Sequence, residues 1–289
     1  MTTPRDLLSV PAAPRTIAAR AGVGAAGHIV QRSDLTTHRV EVDQATLILV
    51  ESGRKRIRWA HGELAAGPGE ALSLQPGAVV DISNMPGRDG SYRALWLVWS
   101  PALIKASCEL PRMSTPTVAR HTRLGADFHE TYRRALASLD PREGPPARIA
   151  THRLEEVLLW LQERGFRFES PDATSSSIGR RVRRLLATDP SADWAMPHVA
   201  DGMATSVPTL RRKLARENLN FRDLVQDVRM SHALALLQNT DTPVLQVALA
   251  SGYDSPSRFT ARFRARYGYL PTDVRGERRN RSSNSKATS

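Results

Sequence analysis

The stretch "VALASGYDSPSRFTARFRAR", Val247 to Arg266, has a near copy upstream in "VADGMATSVPTLRRKLAR", Val199 to Arg216. Each opens on Val-Ala, passes through small turn-forming residues to a serine with a proline within two positions, and continues with two large apolar residues four apart. Ser206 and Ser255 suit helix N-caps, and Pro208 and Pro256 fall in the first turn, where a missing N–H costs nothing. Leu210 with Leu214, and Phe259 with Phe263, bury one stripe of each helix. The opposite stripe of the first copy is Pro208, Arg211, Arg212 and Ala215. Gly252 and the "GMATS" segment permit sharp bends. The spacing therefore predicts two helix-turn-helix units, whose second helices present a basic outer face suited to a DNA major groove. Between them, "FRDLVQDVRMSHALALLQNTDTPV" sets Leu224, Val225, Val228, His232, Leu236 and Leu237 on one apolar face, which predicts a linking helix.

Charge follows the same division. From Ile178 onward the chain holds 19 Lys/Arg against 10 Asp/Glu, whereas residues 1–177 hold 22 against 19. Clustered cations gain from releasing counterions off phosphates, so the asymmetry fits a polyanion-binding module joined to a nearly neutral one; a merely solvated basic surface gives the same count. With 289 residues, two domains are expected. No apolar run is long enough for a membrane span, and the start lacks an apolar h-region, so a soluble cytoplasmic protein is expected. The single cysteine, Cys108, excludes an internal disulfide and a cysteine-cluster zinc site and is expected to be a small buried residue.

Residues 28–105 read as short strands broken by Gly, Pro, Asn and Asp, as in an antiparallel barrel or sandwich; residues 1–27 read as an arm. Two helices are predicted over 106–168. In the second, Ile149, Leu154, Val157, Leu158 and Leu161 fall near one face, available either to a partner copy or to the chain's own barrel. Residues 169–179 read as a linker, 180–277 as a helical DNA-binding domain and 278–289 as a disordered basic tail.

The last hundred residues resemble the AraC-type (AraC/XylS) regulator domain, on "TLRRKL", on "DVRMSHALALLQNTDTPVLQVALASGY" with Arg229, Ala233 and Leu237, and on "FTARFRARYGYLPTDVR" with Gly268, Pro271 and Arg275. The resemblance implies an α+β protein: a cupin-like β-barrel followed by a double helix-turn-helix domain that regulates transcription, most members of the family being activators. It implies base contacts from Pro208, Arg211 and Arg212 in the first unit and from Pro256, Ser257 and Thr260 in the second. Ala261 stands where the family usually has an arginine, so the second unit is expected to give mostly affinity. Ser206, Thr209, Ser255, Arg258, Arg262, Arg264 and Arg266 are expected on phosphates. Double-stranded promoter DNA, RNA polymerase, a small-molecule effector and a second copy of the chain are the expected partners.

The turns of "GPGEALSLQPG" resemble those of cupin sensors. Metal-binding cupins need several histidines and a carboxylate. Here His61 and Glu63 stand without a His-x-His, and Val79 and Val80 lie where a later histidine is expected. No metal or cofactor is expected, and a cupin-like metalloenzyme with an appended DNA-binding domain is the disfavoured alternative; a DNA-repair protein with a zinc-bound cysteine fails on the cysteine count. An effector pocket inside the barrel would use Ile48, Val50, Trp59, Leu74, Trp96 and Trp99, with Leu72, Leu95 and Val98 as further inward candidates; ordinary barrel packing uses the same residues. The "GRKRIRW" segment, Gly53 to Trp59, reads as an exposed basic hairpin or as an attractor for an anionic effector.

Overall fold

The structure, a computed structural model, describes residues 17–107, 115–169 and 177–275. Cys108, most of the expected linker and the arginine-rich tail lie outside the described residues.

Ten strands are described, in two antiparallel sheets. The larger has the order β1 (Ala18–Arg20), β2 (Gly24–Gln31), β9 (Tyr92–Trp99), β4 (Thr46–Ser52), β7 (Ala71–Leu74), β10 (Val118–His121), and the smaller the order β3 (Leu35–Glu41), β8 (Val79–Met85), β5 (Arg54–Trp59), β6 (Gly62–Ala66). The β structure thus extends beyond 28–105 at both ends, since β1 precedes it and β10 pairs with β7 from the far side of α1 (Pro101–Ala106).

The large sheet is covered on both faces. Along β9, Tyr92, Ala94 and Trp96 point between the sheets with Ile48, Val50, Leu72 and Leu74. Leu95, Leu97 and Trp99 point the other way, with Leu47 and Leu49, into a core closed by α1, α2 (Ala126–Ala137) and α3 (Ala147–Glu163). A strand buried on both faces loses its polar alternation. Leu154, Val157, Leu158 and Leu161 of α3 are all buried in this core, so the apolar stripe of that helix is occupied by the chain's own sheet. Ile149 departs from the expected face and is 44% exposed.

The remaining helices form two further cores. One, in the first helix-turn-helix unit, joins α4 (Ile178–Leu186), α5 (Met196–Gly202) and α6 (Val207–Arg216) to Leu224 of α7 (Phe221–Asn239). The other, in the second unit, joins α8 (Val244–Ala250), α9 (Pro256–Tyr267) and α10 (Pro271–Arg275) to Met230, Ala233 and Leu237 of the same α7. Gly268 ends α9 in the left-handed region, at φ 83°, its N–H bonded to the Arg264 carbonyl. Glycine adopts that conformation without a Cβ clash.

Trp99 is fully buried, and its indole N–H donates to the Leu154 carbonyl at 3.1 Å, tying sheet to α3. Trp99→Ala should cost about 3 to 5 kcal/mol, read from denaturant unfolding, because it opens a large cavity and removes that hydrogen bond. A cost below about 1 kcal/mol would contradict this packing.

Candidate nucleic-acid interface

The two repeated units are built alike. The Ser206 hydroxyl accepts from the Thr209 N–H at 3.4 Å and donates to the Thr209 hydroxyl at 2.9 Å; the Ser255 hydroxyl accepts from the Arg258 N–H at 3.4 Å. Pro208 and Pro256 lie in the first turn of α6 and α9. Leu210, Leu214, Phe259 and Phe263 are buried beneath the helices, which turns Pro208, Arg211, Arg212, Pro256, Ser257, Arg258, Arg262 and Arg264 outward, all exposed. Thr260 is half-buried. The arginine side chains of this set donate no hydrogen bond and form no ion pair among the described residues.

Between the units lies a polar cleft of about 600 Å³ bordered by Trp194, Arg222, Arg229, Tyr253, Arg258 and Arg262. Arg222, exposed at the start of α7, joins the basic surface here. Its signal was local, a cation one residue past the Phe221 that opens a helix capped by Asn220, whose side chain accepts from the Arg222 N–H at 2.9 Å.

Arg266 is placed differently from its neighbours. It lies 3.3 Å from Asp227 of α7, and its guanidinium donates to the carbonyls of His38 and Arg39 at 3.1 and 3.3 Å. It therefore faces the β-sandwich, about one turn beyond Arg262 and two beyond Arg258 along α9, and the structure does not place it with the arginines expected on phosphate. Asp227 also lies 3.5 Å from Arg183, which lies 3.0 Å from Glu41. This chain of charges, with a Thr37–Tyr269 hydroxyl contact at 3.0 Å, docks the sandwich on the helical half.

At the same junction a cavity of about 400 Å³ runs from α7 into the space between the sheets, its apolar wall formed by Ile29, Ile48, Ile82, Trp96 and Leu234. Of the expected pocket residues, Ile48 and Trp96 line it. Val50 and Leu74 are buried deeper in the inter-sheet core and Trp59 packs at its edge, while Trp99 and Leu95 belong to the opposite face, one residue out of step with Trp96. The Trp96 indole N–H donates to the Asn239 side-chain oxygen at 2.6 Å.

Lys55 also lines the cavity and is 1% exposed. Its amine donates to the Asn84 side-chain oxygen at 2.8 Å and lies 5.4 Å from the centre of the Tyr92 ring. Burial lowers its pKa from 10.5 to about 7. In the segment read as an exposed basic hairpin, Arg54, Arg56 and Arg58 are exposed, but Lys55 shares the inward parity of Ile57. That parity was the available signal. Nearby, Asp43 is raised, first by burial and then by Glu41.

A lysine depressed in this way binds fewer protons folded than unfolded between pH about 7 and 10.5, so its contribution to stability rises with pH through that window, and its burial cost stands in full below it. Lys55→Met should therefore stabilise the protein most below about pH 7, with the advantage shrinking toward about pH 10 in urea unfolding. An advantage independent of pH would contradict the burial of an ionisable amine.

No group of three or more His, Cys, Asp or Glu that could hold a metal ion occurs among the described residues. His61, Glu63 and Val79 are exposed, and Val80 is buried. Among the described residues no helix is long and apolar enough to cross a membrane.

Residues 199–277 match a family model described as a helix-turn-helix domain, and residues 25–162 match one described as an AraC-like ligand binding domain. The transcriptional activator PerA of Escherichia coli is 33% identical over 104 residues, 36% of this chain and 38% of that protein. The porin thermoregulatory protein EnvY of Escherichia coli is 28% identical over 174 residues, 58% of this chain and 66% of that protein. The matches thus span about two fifths and two thirds of the lengths of these two relatives. Among solved structures, an apo ToxT variant of Vibrio cholerae superposes with a TM-score of 0.61 at 12% identity, covering 89% of this chain and 97% of that one. Wild-type ToxT with bound unsaturated fatty acid gives 0.58 at 11% identity, covering 87% and 94%; at such identities these likenesses concern the fold. The ligand-binding-domain match over sandwich and α3, followed in the same chain by the helix-turn-helix match over the repeated units, makes the chain a member of the AraC-type transcription regulators.

Proposed function

We propose that this chain is a sequence-specific transcription regulator, an activator working with RNA polymerase in the cytoplasm and not an enzyme, that inserts α6 and α9 into successive major-groove segments of promoter DNA. The observation that supports this most is the pair of serine-capped helices, packed at two places along α7, that expose arginines without acidic partners among the described residues. Residues 180–277 would be the DNA-binding domain and the sandwich with its helices the sensor. Arg212 reads guanine through a two-bond contact, with Arg211 and Pro208 beside it. In the second unit Pro256, Ser257 and Thr260 border the groove, but Ala261 offers no donor, so Arg258, Arg262 and Arg264 hold phosphate. Ser206, Thr209 and Ser255 hold their helix caps and turn them toward the backbone of the duplex.

The effector site in this reading is the cavity between sandwich and α7, for a small molecule with an apolar body and an anionic group that Lys55 receives. The fatty acid named with ToxT is of that chemical kind. Pairing of two copies would use the outward Ile149 and Leu159 of α3, because the buried stripe of that helix is committed to the sheet.

Arg212→Ala should cost about 1 to 3 kcal/mol on the preferred sequence and little on scrambled DNA, whereas Arg262→Ala should weaken both alike and reduce the slope of log affinity against log salt by about 1. Titrations at several salt concentrations test this. Equal losses for Arg212→Ala on both DNAs would overturn the division between the units, and a salt-independent affinity would overturn DNA binding itself.

A further inference from the structure

Two recognition helices on one chain can engage a duplex together only when their separation matches the helical repeat of the DNA. The linking helix α7 contributes to a separate core in each unit, and each core restrains its own unit alone. Near the middle of α7 two side chains touch both units: Asp227, through its ion pairs with Arg183 and Arg266 on the sandwich side, and Arg229 on the cleft side. The Arg229 Nε donates to the Pro190 carbonyl at 3.2 Å and its Nη2 to the Ala192 carbonyl at 3.0 Å, both in the α4–α5 loop of the first unit. That loop is stiff: the Asp189 carboxylate accepts from the Ser191 and Ala192 N–H groups at 3.1 and 3.2 Å, and the Trp194 indole donates to the Asp189 carbonyl at 2.8 Å.

The other side of the same guanidinium meets the second unit. Its central carbon lies 5.9 Å from the centre of the Tyr253 ring, and that ring packs edge-on against Phe259 of α9 at 5.6 Å. A Cβ on Gly252, which holds φ at 75°, would stand 2.8 Å from the same carbon. The turn that leads into α9 is therefore shaped around Arg229. A planar guanidinium can bond two carbonyls along its edge while an aromatic ring covers its face; a lysine ammonium cannot do both.

We propose that Arg229 is a positioning residue that sets the separation of α6 and α9, so that the protein selects DNA sites by the spacing between two sequence blocks as well as by the bases within them. The proposal rests on the DNA-binding reading above, but its structural half is separable from it. Without the brace, the Asp227 bridge and the sandwich contacts of Arg266 and Tyr269 hold one side alone, and the second unit gains freedom to pivot about α7 while its own core stays intact.

The test has two arms, run on the full chain with Arg229, Arg229→Lys and Arg229→Ala, each checked for folding by its thermal transition. In the first, spin labels are attached through Ala215→Cys and Ala265→Cys in a Cys108→Ser background, and the label-to-label distance distribution is measured without DNA. The expected result is a distribution about twofold broader or more in Arg229→Lys, and broader still in Arg229→Ala. Unchanged widths would overturn the brace.

In the second arm, unlabelled proteins select from a library of random duplexes of about 40 base pairs. Wild type should enrich two blocks at one fixed separation; Arg229→Lys should keep the sequence of each block while the separation spreads over several base pairs. A single block for wild type, or the same fixed separation for both proteins, would overturn the role in site selection. Enrichment of nothing by wild type would instead overturn the DNA-binding reading, and the label distances would still decide the brace. Should Arg229→Ala fail to fold, Arg229→Lys decides both arms.

Discussion

One helix has to face three partners at once, and the arrangement of the whole chain depends on it. The first turns of α7 give Leu224, Val225 and Val228 to the core of the first unit, and its later turns give Met230, Ala233, Leu234 and Leu237 to the core of the second. Its remaining face meets the sandwich through Gln238 and Asn239. A buried amide is costly unless bonded. Asn239 is satisfied on both sides, accepting from the Trp96 indole and donating to the Ala235 carbonyl at 2.7 Å, so the sandwich is held in one register on the helix. The helix that carries both recognition units is in this way also a wall of the inter-sheet cavity.

Charge supports the same division of labour. Glu41, Arg183, Asp227 and Arg266 form a half-buried chain across the junction, using acids of the sandwich and of α7 to neutralise cations on the inner side of the helical half. Ion pairs of this sort fix a docking geometry more than they add stability, because desolvation offsets much of their attraction. The outward arginines of α6 and α9 have no such partners among the described residues. Among the described residues, positive charge without an acidic partner therefore gathers where the two capped helices point, and a field of that shape attracts and orients a polyanion.

Local chemistry made the helical half legible in the sequence. Serine caps, first-turn prolines and an i, i+4 apolar pair are short-range signals, and two copies of them located α5, α6, α8 and α9 closely. Where the sequence was silent, the question was which surface covers which. Periodicity placed Leu154, Val157, Leu158 and Leu161 on one face of α3 but could not say that the covering surface is the chain's own sheet. It likewise separated the buried from the open side of α9 without indicating that the sandwich covers Arg266. In the β region, apolar residues on both faces of β9 hid its parity, so Trp99 was grouped with Trp96 although they point apart. Lys55 was masked by the arginines around it, and only its step with Ile57 gave its direction.

In the proposed reading α6 and α9 occupy successive major-groove segments on one face of a single duplex. Hydroxyl-radical footprinting of a site recovered from chromosomal DNA tests it most directly, because the radical reports protection of the backbone nucleotide by nucleotide. Two protected patches on the same face of the helix, centred about 10 base pairs apart, are expected. A single patch, or two patches on opposite faces of the duplex, would contradict it.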